Sequence, residues 1–167
     1  SKMPSTYGYA ESVPALCETR WGQDAPYNNL CPTATDGTRT LTGCAATSTA
    51  QVLFYHRAPE HGIGSHTIYY PANNMAGMKI SVDFEKDNYD WNAMLETYDA
   101  GYSTEEGDAV ALIMRDLGVA FDMEYGSDAE GGSGALHENV AIGLQRYYGI
   151  DDAKYIVRKD YSDDEWM

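Results

Sequence analysis

The chain has 167 residues, of which 43% are hydrophobic and 22% charged, with a formal net charge of -15 at pH 7. That length suits one domain with a real core, or part of a larger one. The acidity argues against a nucleic-acid partner and against adsorption to anionic membranes. No stretch approaches the roughly 20 apolar residues of a membrane span. The N-terminus lacks the apolar run of a leader peptide, so any leader is expected to have been removed already. The 14 tyrosines against 3 phenylalanines suit exposed, hydrogen-bonding surfaces more than an interior.

In chain order, residues 1–12 read as a polar lead-in. Val13 to Trp21 is expected to form a short helix after Pro14. From Trp21 to Thr42, Gly22, Pro26, Asn28-Asn29, Pro32 and Gly37 break any period and mark a loop. Ala46, Ala50, Leu53 and Phe54 stripe a helix from about Gly43 to Tyr55, which stops before Pro59. His66 to Tyr70 and Lys79 to Phe84 read as strands joined by a Pro71-Ala72-Asn73-Asn74 turn. Tyr89 to Tyr98 is expected to be a short helix around Trp91 and Leu95. Ser103 and Glu106 have capping-box spacing before a helical stripe of Ala109, Leu112, Ile113 and Leu117, with Gly118 as its stop. Val119 to Tyr125 alternates like a strand, and 126–134 is a glycine-rich loop. Leu136, Val140, Leu144, Tyr147 and Tyr148 stripe a helix ended by Gly149, and Tyr155 to Val157 reads as a brief strand. No internal repeat or linker divides the chain.

Cys44 opens the first strong helix. A helix N-terminus favours negative charge, which suits a thiolate and makes Cys44 a candidate nucleophile. Three cysteines make a poor disulfide scaffold. A Cys17–Cys31 pair that leaves Cys44 free, and plain buried thiols, both stay open. His56 lies 12 residues beyond Cys44 on the same helix, about 18 Å away, too far to serve it as a base. His137 follows the glycine-rich loop and is read as an approach to the cleft rather than as the general base. His61 and His66 are read as surface or structural. The scattered carboxylates show no ligand ladder, so no metal is expected. Gly131 to Ala135 lacks the strand and lysine of a phosphate cradle. At the far end, Ser162 and Glu165 repeat the capping-box spacing just before Met167. One helical turn cannot stand alone, so the polypeptide is expected to continue beyond it.

The ordered series Trp21-Gly22-Gln23, Pro26-Tyr27-Asn28, Cys31-Pro32, Thr42-Gly43-Cys44, Ala46-Thr47, Ala50-Gln51 and Tyr55-His56 resembles the streptopain family of cysteine peptidases. Tyr89-Asp90-Trp91-Asn92 with Met94-Leu95, Ala109 to Met114 with Asp116-Leu117-Gly118, and Met123-Glu124-Tyr125-Gly126 extend the likeness from about residue 13 onward. The resemblance implies an α+β, papain-like fold, here mostly its helical half with short strands. Residues 1–12 are then a lead-in or a residue of a propeptide. Residues 13–167 are the N-terminal part of a catalytic domain whose C-terminal part is not in this chain. The family's His-Ala-Phe and Trp-Gly-Trp-Gly segments have no counterpart here, so the catalytic histidine is expected on that missing part.

By that resemblance, the function is a secreted or cell-surface bacterial cysteine endopeptidase, made as a zymogen. It acts on protein or peptide substrates, needs no cofactor and is inactive without its C-terminal part. Cys44 is implied as nucleophile, and the Cys44 N–H with the Gln23 side chain as oxyanion donors. Ser133, Gly134 and Ala135 are implied as the substrate wall, with room for an apolar side chain. Two alternatives stay open: another Cys/His acyl transfer of transglutaminase or amidase type, and a non-catalytic binding or inhibitory relative.

Overall fold

Helix α2, Thr104–Ala120, is the spine of the molecule. Its start follows from its first residues. The Glu106 N–H donates to the Ser103 hydroxyl at 3.2 Å, and the Ser103 N–H donates to the Glu106 carboxylate at 2.7 Å. This closed capping box satisfies two N–H groups that a helix start leaves free. Beyond it, Val110, Ile113, Met114 and Leu117 are wholly buried.

The computed structural model describes residues 12, 14–70 and 77–166. Three elements pack on α2: helix α1 (Cys44–His56), helix α3 (His137–Tyr148) and an antiparallel strand pair. In that pair β1 (Ser65–Tyr69) runs against β2 (Lys79–Asp83), with Ser65 opposite Asp83 and Tyr69 opposite Lys79. Ile68 and Val82 turn their side chains into the core. Gly149, in the left-handed region at φ 67°, ends α3. A last single turn, α4 (Asp163–Trp166), starts at Ser162 as its capping-box spacing predicts. The architecture is α+β.

Several sequence expectations change. Among the described residues, 14–21 form neither helix nor strand, and the chain bends at Leu16. The Thr19 hydroxyl donates to the Gln51 side-chain oxygen at 2.8 Å, and the Arg20 N–H to the Glu96 carbonyl at 3.0 Å, so their partners lie across the fold. Residues 89–98 are a series of turns rather than a helix. Each anchor there finds its own distant partner: the Trp91 indole N–H donates to the Pro59 carbonyl at 2.8 Å, and the Tyr98 hydroxyl to the Glu106 carbonyl at 2.9 Å. Gly118 does not stop α2; it lies inside it, because a Cβ there would collide with the Tyr125 hydroxyl. The helix accepts glycine's cost of about 1 kcal/mol to seat that ring. The stretch 119–125 is not a strand: α2 runs to Ala120, Asp122 turns at φ 52°, and only Glu124 pairs, with Gly134. Tyr155–Val157 pairs with nothing regular. The 71–74 turn and the first eleven residues lie outside the described residues.

The tyrosine expectation holds only in part: Tyr55, Tyr69, Tyr102, Tyr155 and Tyr161 are exposed. Tyr27, Tyr70, Tyr89, Tyr98, Tyr125 and Tyr148 are buried. A phenol ring fills core volume, and in Tyr70, Tyr89, Tyr98 and Tyr148 the hydroxyl also reaches a partner, whereas that of Tyr125 is buried without one. Tyr70 donates to the Met123 carbonyl at 2.8 Å, and Tyr89 to the Asp116 carboxylate at 2.8 Å. Asp116 is itself fully buried and pairs with Arg115 at 2.9 Å. Burial pushes its carboxyl up to about 7, against the downward pull of Arg115 and Tyr89.

Candidate active site

The site is built around a glycine. Gly43 precedes α1 at φ 85°, ψ 144°, a backbone conformation that other residues rarely adopt. A Cβ at Gly43 would also fall 2.6 Å from the sulfur of the buried Met123. From this bend the chain enters α1 with Cys44 as first helical residue, and no carboxylate sits in that first turn. Ala46, Thr47, Ala50, Leu53 and Phe54 bury the inner face of α1, which leaves Cys44 and Ser48 on the exposed side.

Gln23 comes from the irregular 21–42 loop. The Trp21 indole N–H pins this loop to the Leu95 carbonyl at 2.8 Å. The Gln23 side-chain oxygen accepts the Gly43 N–H at 3.0 Å, and its backbone carbonyl accepts the Thr42 N–H at 3.2 Å. With Oε1 committed to Gly43, the amide nitrogen is the end left to donate elsewhere.

Cys44 opens onto a groove of about 580 Å³ between α1 and α3. Ala45, Ala135, Val140, Ala141 and Leu144 make its apolar surface; His137, Lys154 and Tyr155 stand along it. His137 stacks flat on Tyr155, with centroids 5.3 Å apart and planes at 11°. His137, expected to approach the cleft, lines the groove that holds Cys44. His56 sits at the opposite end of α1, edge-on to Tyr55. His66 pairs with Asp122 at 2.6 Å on the strand side.

The three expected wall residues separate. Ala135 lines the groove with Cys44. Gly134 faces a neighbouring depression beside Asp122 and Glu124. Ser133 turns inward: its hydroxyl donates to the Leu41 carbonyl at 2.7 Å and accepts the Gly126 N–H at 2.9 Å. Glu124 and Gly134 exchange both backbone hydrogen bonds, at 2.8 and 3.0 Å, and so tie the wall to the end of α2. The 153–155 segment was missed from sequence, and only the Val140/Leu144 stripe hinted at an apolar surface there.

All three cysteines are free thiols, Cys17 and Cys44 exposed and Cys31 buried. Burial pushes the Cys31 thiol up to about 12, despite Arg39, so it stays protonated and inert at neutral pH.

The Peptidase C10 family model matches residues 21–167. This chain belongs to the Peptidase C10 family. It is 30% identical over 186 residues to streptopain of Streptococcus pyogenes, an alignment that covers 99% of this chain and 46% of streptopain. It is 28% identical over 148 residues to the thiol protease/hemagglutinin PrtT of Porphyromonas gingivalis, covering 87% of this chain and 16% of that protein. Among solved structures, active wild-type interpain A cysteine protease of Prevotella intermedia superposes with a TM-score of 0.85 at 48% identity, over 92% of this chain and 62% of that one. The C10 chain thus spans less than half the length of streptopain. Its family is one of cysteine peptidases, and its fold is papain-like, as the streptopain-type motifs around Gln23 and Cys44 imply.

Proposed function

We propose that this chain is the cysteine-bearing part of an exported bacterial cysteine endopeptidase acting on protein substrates. The observation that carries the reading is an exposed Cys44, at the first position of α1, on an apolar groove beside a glutamine whose amide nitrogen is left free to donate.

In this mechanism the Cys44 thiolate attacks the peptide carbonyl carbon. The S–C bond forms as the C=O π pair moves onto oxygen. The Cys44 N–H and the Gln23 amide N–H receive that charge. Collapse breaks the C–N bond, and the amine leaves with a proton from an imidazolium. Water, deprotonated by the same imidazole, attacks the thioester, releases the acid and restores the thiolate. The imidazole is assigned to the portion of the relatives that this chain does not span. Among the described residues, no helix is long and apolar enough to cross a membrane.

Casein digestion tests the reading. The complete polypeptide releases peptide fragments and accumulates in the culture medium, while the 167-residue chain alone and the Cys44→Ala variant release none. Isopeptide cross-links without fragments would point instead to acyl transfer between proteins. No turnover, with iodoacetamide labelling Cys44 no faster than Cys17, would point to a binding module. Cys31 labels only after unfolding.

A further inference from the structure

Gly43 is clamped on both of its polar groups. Its N–H is taken by Gln23 at 3.0 Å. Its carbonyl accepts twice from Thr47: from the hydroxyl at 3.0 Å and from the backbone N–H at 3.1 Å. Thr47 is buried, and so is Thr42, whose hydroxyl lies 2.8 Å from that of Thr47. A hydroxyl has one proton to give. Thr47 gives its proton to Gly43, so in the shared contact Thr42 is the donor. The order is Thr42 O–H to Thr47 Oγ1, then Thr47 O–H to the Gly43 carbonyl, a chain in which each bond polarises the next.

The Gly43 carbonyl and the Cys44 N–H belong to one planar trans peptide, so they point in opposite directions. Fixing the carbonyl inward therefore fixes the Cys44 N–H outward, and as a first-turn donor it has no acceptor within its own helix. We propose that Thr47, with Thr42 behind it, is a positioning residue for the oxyanion hole: its hydroxyl sets the direction of the Cys44 N–H. This rests on the peptidase reading above. A threonine hydroxyl bonded four residues back is common on helices. Here the carbonyl it holds belongs to the one peptide unit whose opposite end meets the substrate.

The test uses the complete polypeptide with Thr47→Val, Thr47→Ser and Thr42→Val, and three readouts. The first is kcat and KM on a peptide substrate. The second is inactivation by iodoacetamide, in which sulfur displaces iodide and no oxyanion forms. The third is affinity for leupeptin, whose aldehyde carbon bonds to the Cys44 sulfur while its C=O pair moves to oxygen. Loss of an oxyanion donor costs about 100- to 1000-fold in kcat, and a misdirected one costs less. Thr47→Val is expected to lower kcat and leupeptin affinity by ~10-fold or more, with KM and the iodoacetamide rate unchanged, which marks a transition-state effect. Thr47→Ser recovers most of the loss, and Thr42→Val shows a smaller one of ~3-fold.

A Thr47→Val enzyme with kcat and leupeptin affinity within twofold of wild type overturns the proposal and leaves the peptidase reading standing. Equal loss in all readouts, or no recovery by serine, assigns Thr47 to general support of the fold and also overturns it. If Thr47→Val does not fold by circular dichroism, Thr42→Val decides: an unchanged kcat overturns the proposal. A wild-type polypeptide that neither cleaves peptide nor binds leupeptin removes the peptidase reading, and this assignment with it.

Discussion

The two banks of the groove are built on different principles. On the Cys44 side, Gln23, Thr42, Gly43 and Thr47 are joined by short hydrogen bonds, most of them buried, and the glycine is held in a conformation few residues can take. On the α3 side, the surface is Ala135, Val140, Ala141 and Leu144, with an exposed His137 resting on an exposed Tyr155. The contrast teaches where angular accuracy is needed. Donors to a developing charge must point correctly, and only hydrogen-bonded backbone fixes direction that tightly. A surface that receives apolar side chains needs space and dry area, which small residues supply without fixed orientation.

The largest expected effect is on the hydrogen-bonded bank. In the proposed mechanism Gln23→Ala removes an oxyanion donor, and it also removes the acceptor for the Gly43 N–H. In the complete polypeptide kcat falls by about 100- to 1000-fold, with KM changing far less. A loss below tenfold on a peptide substrate would erase the contrast between the banks. The smallest effect is across the groove. On the proposed reading, which gives His137 the groove wall and not the base, His137→Ala is expected to keep kcat within ~3-fold and to shift mainly KM. If steady-state kinetics show that His137→Ala abolishes turnover, His137 is the catalytic imidazole, and both banks carry chemistry.

Much of the Cys44 bank was legible in the sequence. The helix that Cys44 opens is read from local periodicity, and Gln23 is singled out by the order of the motifs; the bend at Gly43, read there as the start of the helix, is not legible. What escaped is what long-range partners decide. The irregular 14–21 segment and the turns at 89–98 carry apolar residues at near-helical spacing. Their hydrogen bonds go to Gln51 and Pro59, far along the chain, and to Glu106 in the next helix. Gly118 reads as a stop until Tyr125 is seen against it. Ser133 reads as groove lining, yet its hydroxyl faces Leu41 and Gly126. The buried tyrosines misled for a related reason, since composition counts hydroxyls but cannot say which of them find acceptors inside.

Asp116 gives the fold a preference for mildly acidic surroundings. An aspartate titrates near 3.8 when unfolded, and this one near 7 when buried. Between those limits the native chain takes up a proton that the denatured chain does not. The group's contribution is therefore complete below about pH 4 and is lost as pH rises through about 7. Urea midpoints for the wild type should fall from pH 5 to pH 7.5, and the Asp116→Asn variant should flatten that slope; a slope unchanged by the substitution would place the proton on another group. A protein with so acidic a surface would then have, at its centre, a carboxyl that resists the charge its exterior carries.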